Sequence, residues 1–309
     1  MPRDIERSLA IALIGAPLEL GAGLRGCAMG PAALRTAEIA EALAELGHRV
    51  EDRGDVRPEA IGTARQVPGR ARAWSEVAAW AGAISDSVKS ALDDGAFPVV
   101  MGGDHAVAMG SVNGVAAHCR ANARELFVLW LDAHADFNTP QTSPSGNIHG
   151  MPLAMLCGEA GFDDIVDEAR RVSLNPANVH LFGIRSVDRE ERALLAARGL
   201  HVTDMRLIDE FGVVSLLKDI LIRVEAKSGH LHVSFDVDFL DPSLAPGVGT
   251  IAPGGATYRE AHLVMEMLFD SGLVGSLDLV ELNPFLDERG RSAKLLVELT
   301  CSLFGRRIV

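Results

Sequence analysis

"ELFVLWLDAHADFN", residues 125 to 138, runs through six apolar residues and then sets Asp132, His134 and Asp136 at every second position. A short apolar run bounded by charge suits a strand covered on both faces, as in parallel sheets. The pattern recurs in "LAIALIG", "FPVVMGG", "NVHLFGI", "LHVSFDVD" and "LVGSLDLVEL". Between these runs lie segments of helical period: "GPAALRTAEIAEALAELG", "RAWSEVAAWAGAISDSVKSALDDG", "EERALLAARG", "LIDEFGVVSLLKDILIRVEAKSG" and "TYREAHLVMEMLFDSG". Most close on Gly, as helix C-termini do. The alternation predicts an α/β fold with a mostly parallel central sheet and helices on both faces. No repeat or low-complexity linker interrupts the series, and the Pro/Gly-rich stretches at 15 to 31, 138 to 152 and 241 to 255 fall between its elements. Residues 1 to 309 therefore read as one domain.

A chain of 309 residues with 48% apolar content can bury a large core. Its formal net charge of -13 argues against nucleic acid, whose phosphates call for clustered Lys and Arg. Cys27, Cys119, Cys157 and Cys301 form no C-x-x-C pair and read as buried free thiols of a reducing cytoplasm. The start, "MPRDIERSLAIALIGAP", is unlike a signal peptide, and no run approaches the ~18 apolar residues of a membrane span. A cytoplasmic protein with no membrane partner is expected.

In parallel sheets, sites form beyond the carboxyl ends of the strands. Three such ends here run into His or Asp: "VVMGGDHA" with Asp104 and His105, "LWLDAHADFN", and "HVSFDVDFLDP" with Asp236, Asp238 and Asp241. Side chains alternate along a strand, so Asp132, His134 and Asp136 are expected to point one way, as are Asp236 and Asp238. A lone Asp after a strand is ordinarily a turn former, the reading given to Asp241. Turn chemistry explains neither the period-2 repetition nor the two histidines. Four carboxylates and two imidazoles crowded together need cations, and a donor set without thiolate suits two hard or borderline ions. Mn²⁺ is the first choice, with Fe²⁺, Co²⁺ and Zn²⁺ compatible. Asp104 is placed to orient the His105 ring. His232, four residues before Asp236 and so ~13 Å back along the strand, reads as core. The other histidines, His149 apart, read as surface or packing residues.

"GGDHA", "DAHADFN", "SGNIHG", "SFDVDFLDP" and "DLVELNP" resemble the signature blocks of the ureohydrolases, binuclear manganese enzymes that hydrolyse guanidino compounds. The resemblance spans nearly the whole chain, and the loop "DFNTPQTSPSGNIHG" is similar to that of the arginases in particular. It implies a three-layer α/β/α fold, two Mn²⁺ per subunit and hydrolysis of L-arginine to L-ornithine and urea by a metal-bridging hydroxide. One ion would be held by His105, Asp132, Asp136 and Asp236, the other by Asp132, His134, Asp236 and Asp238. Asn138 and Ser145 match residues that bind the substrate α-carboxylate, and Asp188 one near the α-amino group. Thr250 and Glu281 match positions at the guanidinium end. His149 matches the proton-shuttling histidine, and Asp136 could hand a proton to the leaving amine. A homo-oligomer, trimer or hexamer, is implied as well.

Two positions depart from that pattern. Ala106 stands where arginases often carry Ser, and Ser186 where some carry a second acid near the α-amino group. Competing readings are a ureohydrolase acting on agmatine or a guanidino acid, and a non-enzymatic arginine or metal sensor on the same fold.

Overall fold

The computed structural model describes residues 8 to 58, 71 to 163, 165 to 166 and 171 to 307. Eight strands form one sheet: β1 (Ala10–Ala16), β2 (Arg49–Asp55), β3 (Phe97–Gly102), β4 (Leu126–Leu131), β5 (Val179–Ile184), β6 (His201–Asp204), β7 (His230–Asp236) and β8 (Val274–Val280). Their order is β2-β1-β3-β8-β7-β4-β5-β6, and every neighbouring pair is parallel. The six apolar runs became the six inner strands. The edges β2 and β6 were not foreseen, because "RVEDRGD" and "HVTD" are polar and carry no apolar run, as exposed sheet edges tend to.

The helices are α1 (Gly30–Thr36), α2 (Ile39–Glu45), α3 (Trp74–Asp93), α4 (Ala108–Ala121), α5 (Pro152–Leu156), α6 (Arg189–Arg198), α7 (Met205–Phe211), α8 (Val213–Ala226), α9 (Tyr258–Ser271) and α10 (Arg291–Leu303). Two periodic segments each divide in two. Glu38 adopts a left-handed conformation, φ 63°, between α1 and α2, and Gly212, φ 76°, parts α7 from α8. Helix α4, "AMGSVNGVAAHCRA", is rich in small residues for a packing reason. A Cβ on Gly110 would lie 2.6 Å from the Ala81 carbonyl, and one on Gly114 2.6 Å from that of Ser85, so α3 and α4 touch backbone to backbone.

Alternation along the strands splits the core into two layers. Ile14, Val100, Val128 and Trp130 pack with Val77 and Ile84 of α3 and Val112 and Val115 of α4. Ile11, Met101, Leu129, Val233 and Phe235 pack with Leu34, Leu43, Leu217, Val264 and Leu296 on the other side. This is the expected three-layer arrangement. The four central strands, β3, β8, β7 and β4, end side by side, and all the anticipated metal ligands lie at or just after the ends of three of them, β3, β4 and β7. Among the described residues, no helix is long and apolar enough to cross a membrane.

Candidate metal centre

His105 Nδ1 faces three carboxylate oxygens: Asp132 Oδ2 at 3.0 Å, Asp136 Oδ2 at 3.1 Å and Asp236 Oδ2 at 3.1 Å. The ring is fixed from behind. Its Nε2 lies 2.9 Å from Ser234 Oγ, and its face stacks on Trp130 with centroids 4.0 Å apart. With Nε2 turned to Ser234, Nδ1 is the ring atom aimed at the carboxylates, and this buried atom has no aligned hydrogen-bond partner. The second histidine has a matching place: His134 Nδ1 is 2.9 Å from Asp238 Oδ2 and 3.5 Å from Asp132 Oδ1. Asp132 thus belongs to two clusters able to hold an ion, one with His105 and Asp136, the other with His134 and Asp238.

The local backbone differs from a simple extension of the strands. β4 ends at Leu131, His134 keeps one parallel bridge to Ser186, and Asp136 turns left-handed at φ 48°. Asp238 lies in the 3-10 turn Val237–Phe239 after β7, its N–H donating to Asp236 Oδ1 at 2.7 Å. The side chains converge as expected, but turns aim Asp136 and Asp238. The left-handed backbone of Asp136, a non-glycine residue, is strain of the kind that clusters at functional sites. Asp104 does not orient His105: its carboxylate accepts the N–H groups of Gly21, Ala22 and Ala106. That ring is oriented by Ser234 and Trp130 instead, because Asp104 points back toward the loop after β1. His232 is core, bound to Ser276 and facing Asp278.

Packing acids this closely changes their protonation. Burial and the Asp238 and Asp132 charges push Asp236 well above the usual carboxylate range, and burial with Asp132 raises Asp238 to about 6. Burial opposes charge on His105 and His134, yet the carboxylates outweigh it, raising His105 well above its ordinary value and His134 to about 12. Without a cation, protons must sit between these groups. A divalent ion does the same work better, and its binding releases them. The unpartnered Nδ1 of His105, the thiolate-free donors and the crowded carboxylates all fit a pair of hard or borderline cations.

Glu281 follows β8 in a left-handed conformation, φ 64°. Its Oε1 accepts the His105 N–H at 2.9 Å and lies 2.7 Å from His149 Nδ1, while Oε2 is 3.6 Å from Cys27 Sγ. Burial disfavours a charged His149, but Glu281 prevails and raises it to about 9. All four cysteines are free and buried.

A cavity of about 330 Å³ opens over these groups. Its walls include Asn138, Ser145, His149, Asp188, Thr250 and Glu281 as well as His134, Asp136, Asp236 and Asp238. Asn138 Nδ2 donates to Asp188 Oδ2 at 3.0 Å, and its Oδ1 accepts from Thr142 Oγ1 at 2.9 Å, so the amide is oriented. Ser145 Oγ accepts the Asn147 N–H at 3.1 Å and lies 3.5 Å from Ser143 Oγ. Ser186 lines the same wall. One lining acid was not anticipated. Glu191 accepts the N–H groups of Phe137 and Asp188 at 2.8 and 3.1 Å, joining the two loops that carry Asn138 and Asp188. The D-x-x-E spacing from Asp188, a capping-box signature, was the available signal.

The family model described as Arginase family matches residues 9–305. An arginase of Brucella melitensis is 50% identical over 297 residues, 96% of each chain, and that of Bacillus subtilis 41% identical over 302 residues, 97% of this chain and 99% of its own. The solved arginase of Bacillus caldovelox superposes with a TM-score of 0.89 at 39% identity, covering 97% of this chain and 100% of its own. The formimidoylglutamase of Bacillus subtilis shares the fold, with a TM-score of 0.75 at 22% identity over 97% of this chain and 87% of its own.

Proposed function

The chain belongs to the arginase family, and on that premise we propose that it hydrolyses L-arginine with water to L-ornithine and urea. The observation that carries this reading is the convergence of Asp132, Asp136 and Asp236 on the unpartnered His105 Nδ1, beneath a cavity walled by Asn138, Ser145 and Asp188. His105, Asp132, Asp136 and Asp236 would hold one ion and Asp132, His134, Asp236 and Asp238 the other, Mn²⁺ being the proposed metal. Two such ions supply a hydroxide nucleophile near neutral pH and stabilise charge developing at the reacting carbon.

The protein's own groups bind and orient the substrate. Asn138 and Ser145 donate to the α-carboxylate, and Asp188 accepts from the α-amino group. Glu281, held by the His105 N–H, meets the guanidinium with its charge and Thr250 borders the same end. A buried carboxylate so fixed strengthens an ionic contact that water would weaken. The leaving amine needs a proton. Asp136 faces the cavity and would pass it on from the attacking hydroxide, and His149, partly buried beside Glu281 on the cavity wall, would exchange protons with solvent or product.

The protein is proposed to act as a single domain, within a cytoplasmic homo-oligomer, trimer or hexamer, as the resemblance implies. Urea release from L-arginine and from agmatine by Mn²⁺-loaded protein tests the substrate. Turnover of arginine alone supports the carboxylate contacts at Asn138 and Ser145. Equal turnover of agmatine would move the reading to a ureohydrolase that ignores the α-carboxylate.

A further inference from the structure

Arg185, just after β5, is half-buried, and among the described residues its hydrogen-bond partners are all main-chain oxygens, none of them a carboxylate. Each of its three nitrogens donates instead to main-chain carbonyls. Nε points to Ala252 O at 3.1 Å and Pro253 O at 3.2 Å, and Nη1 to Gly183 O at 3.2 Å. Nη2 is shared among Asp238 O, Leu240 O at 3.3 Å and Ala252 O at 2.7 Å. The five carbonyls belong to three segments: the end of β5, the turn carrying Asp238, and the loop carrying Thr250. A Cβ on Gly255 would lie 2.6 Å from Nη2, so the chain passes the guanidinium at a distance only glycine allows. Asp241 holds that passage by accepting the N–H groups of Gly254 and Gly255.

We propose that Arg185 is a positioning residue: its planar fork pins the Thr250 loop onto the main chain of Asp238, fixing one wall of the cavity and one ligand of the His134 ion together. The inference rests on the arginase reading above for what the cavity holds, but not for the contacts themselves. A planar fork with N–H donors on three nitrogens is what these contacts require, and the single ammonium of Lys cannot reproduce it. Charge alone is not the point, since Lys would supply it.

Arg185→Lys is therefore the deciding variant, with Arg185→Met beside it. In both, hydrogen exchange at the amides of residues 249 to 255 should quicken. Mn²⁺ added to stripped protein should leave the second of its two positions about tenfold more readily, within the range for lost support of a ligand. The KM for L-arginine should rise in step. Exchange and metal release need no substrate, so they judge Arg185 even if wild-type protein fails to turn over arginine. Wild-type exchange and metal release in Arg185→Lys would overturn the proposal, leaving charge as the residue's contribution. Failure of Arg185→Lys to fold would overturn it too, making Arg185 a general support of the fold.

Discussion

His149 and Glu281 meet at 2.7 Å, Nδ1 to Oε1, on the wall of the cavity and 132 positions apart in sequence. The pair ties the loop after β4 to the end of β8, and it makes the charge of each depend on the other. The folded-state value of His149 is raised to about 9 from an ordinary 6.5, so its contribution to stability is complete below about 6.5 and lost as pH climbs through about 9. Glu281, burial notwithstanding, is held below its ordinary 4.5, mainly by His149, so its contribution is complete above that value and lost as pH falls through the folded value.

The two contributions therefore coexist in full only between about pH 4.5 and 6.5. Metal-stripped Glu281→Gln should show its largest deficit in Tm in that window, and the deficit should shrink as pH climbs through about 9 and His149 loses its charge. NMR titration of His149 in the variant should give a midpoint well below the wild-type one, because burial then acts with less opposing charge. A midpoint still near 9 would mean that another group charges His149.

Asp132→Asn should strip both ion positions at once. Asp132 Oδ1 accepts the His134 N–H at 2.6 Å, and Oδ2 accepts Trp130 Nε1–H at 2.9 Å while facing His105. An amide carries no charge and would turn an N–H toward one of those donors. Metal analysis after dialysis should find little bound Mn²⁺, with turnover down by more than about 100-fold. Activity within tenfold of wild type would refute the shared role.

Ser234→Ala removes the acceptor of His105 Nε2 and leaves that buried N–H unsatisfied, at a cost of about 1 to 3 kcal/mol. The ring is then free to change tautomer. Calorimetric titration with Mn²⁺ should show affinity weakened about 10- to 100-fold, with kcat restored at saturating metal. Unchanged affinity would assign the orientation of His105 to Trp130 stacking alone.

The elements legible in the sequence were those whose burial left a periodic trace. "LFVLWL" could only be an enclosed strand, and the acids that follow it announced the site. Strand order and the polar edges β2 and β6 were not legible, because order depends on contacts distant in sequence and edges carry no apolar run. Asp136 and Asp238 reached the site through turns that alternation does not foretell. Arg185 and Ser234 escaped notice for another reason: their partners are main-chain carbonyls and one ring nitrogen, which leave no sequence pattern. Asp104 misled because adjacency to His105 suggested a contact that the turn directs elsewhere.

His149→Asn should retain both ions, since the ring touches Glu281 and none of the proposed ligands. Turnover should fall while metal content stays at the wild-type level, and the pH profile should lose the limb due to His149. Loss of metal would make His149 a ligand.

Asn138→Ala would leave Asp188 and Thr142 without their shared partner and remove one proposed carboxylate donor. KM for L-arginine should rise about tenfold or more, equivalent to about 1.4 kcal/mol, with little change toward agmatine. An equal effect on both substrates would separate Asn138 from carboxylate recognition.

The central claim is that the buried carboxylates around His105 and His134 form a two-ion centre for arginine hydrolysis. The direct test is to strip the protein of metal, add Mn²⁺ in steps, and follow bound ions per subunit together with urea released from L-arginine. Binding that saturates at two ions, with activity absent before metal and complete at saturation, is the result expected. Turnover of arginine by fully stripped protein, or two bound ions with no urea, would contradict it.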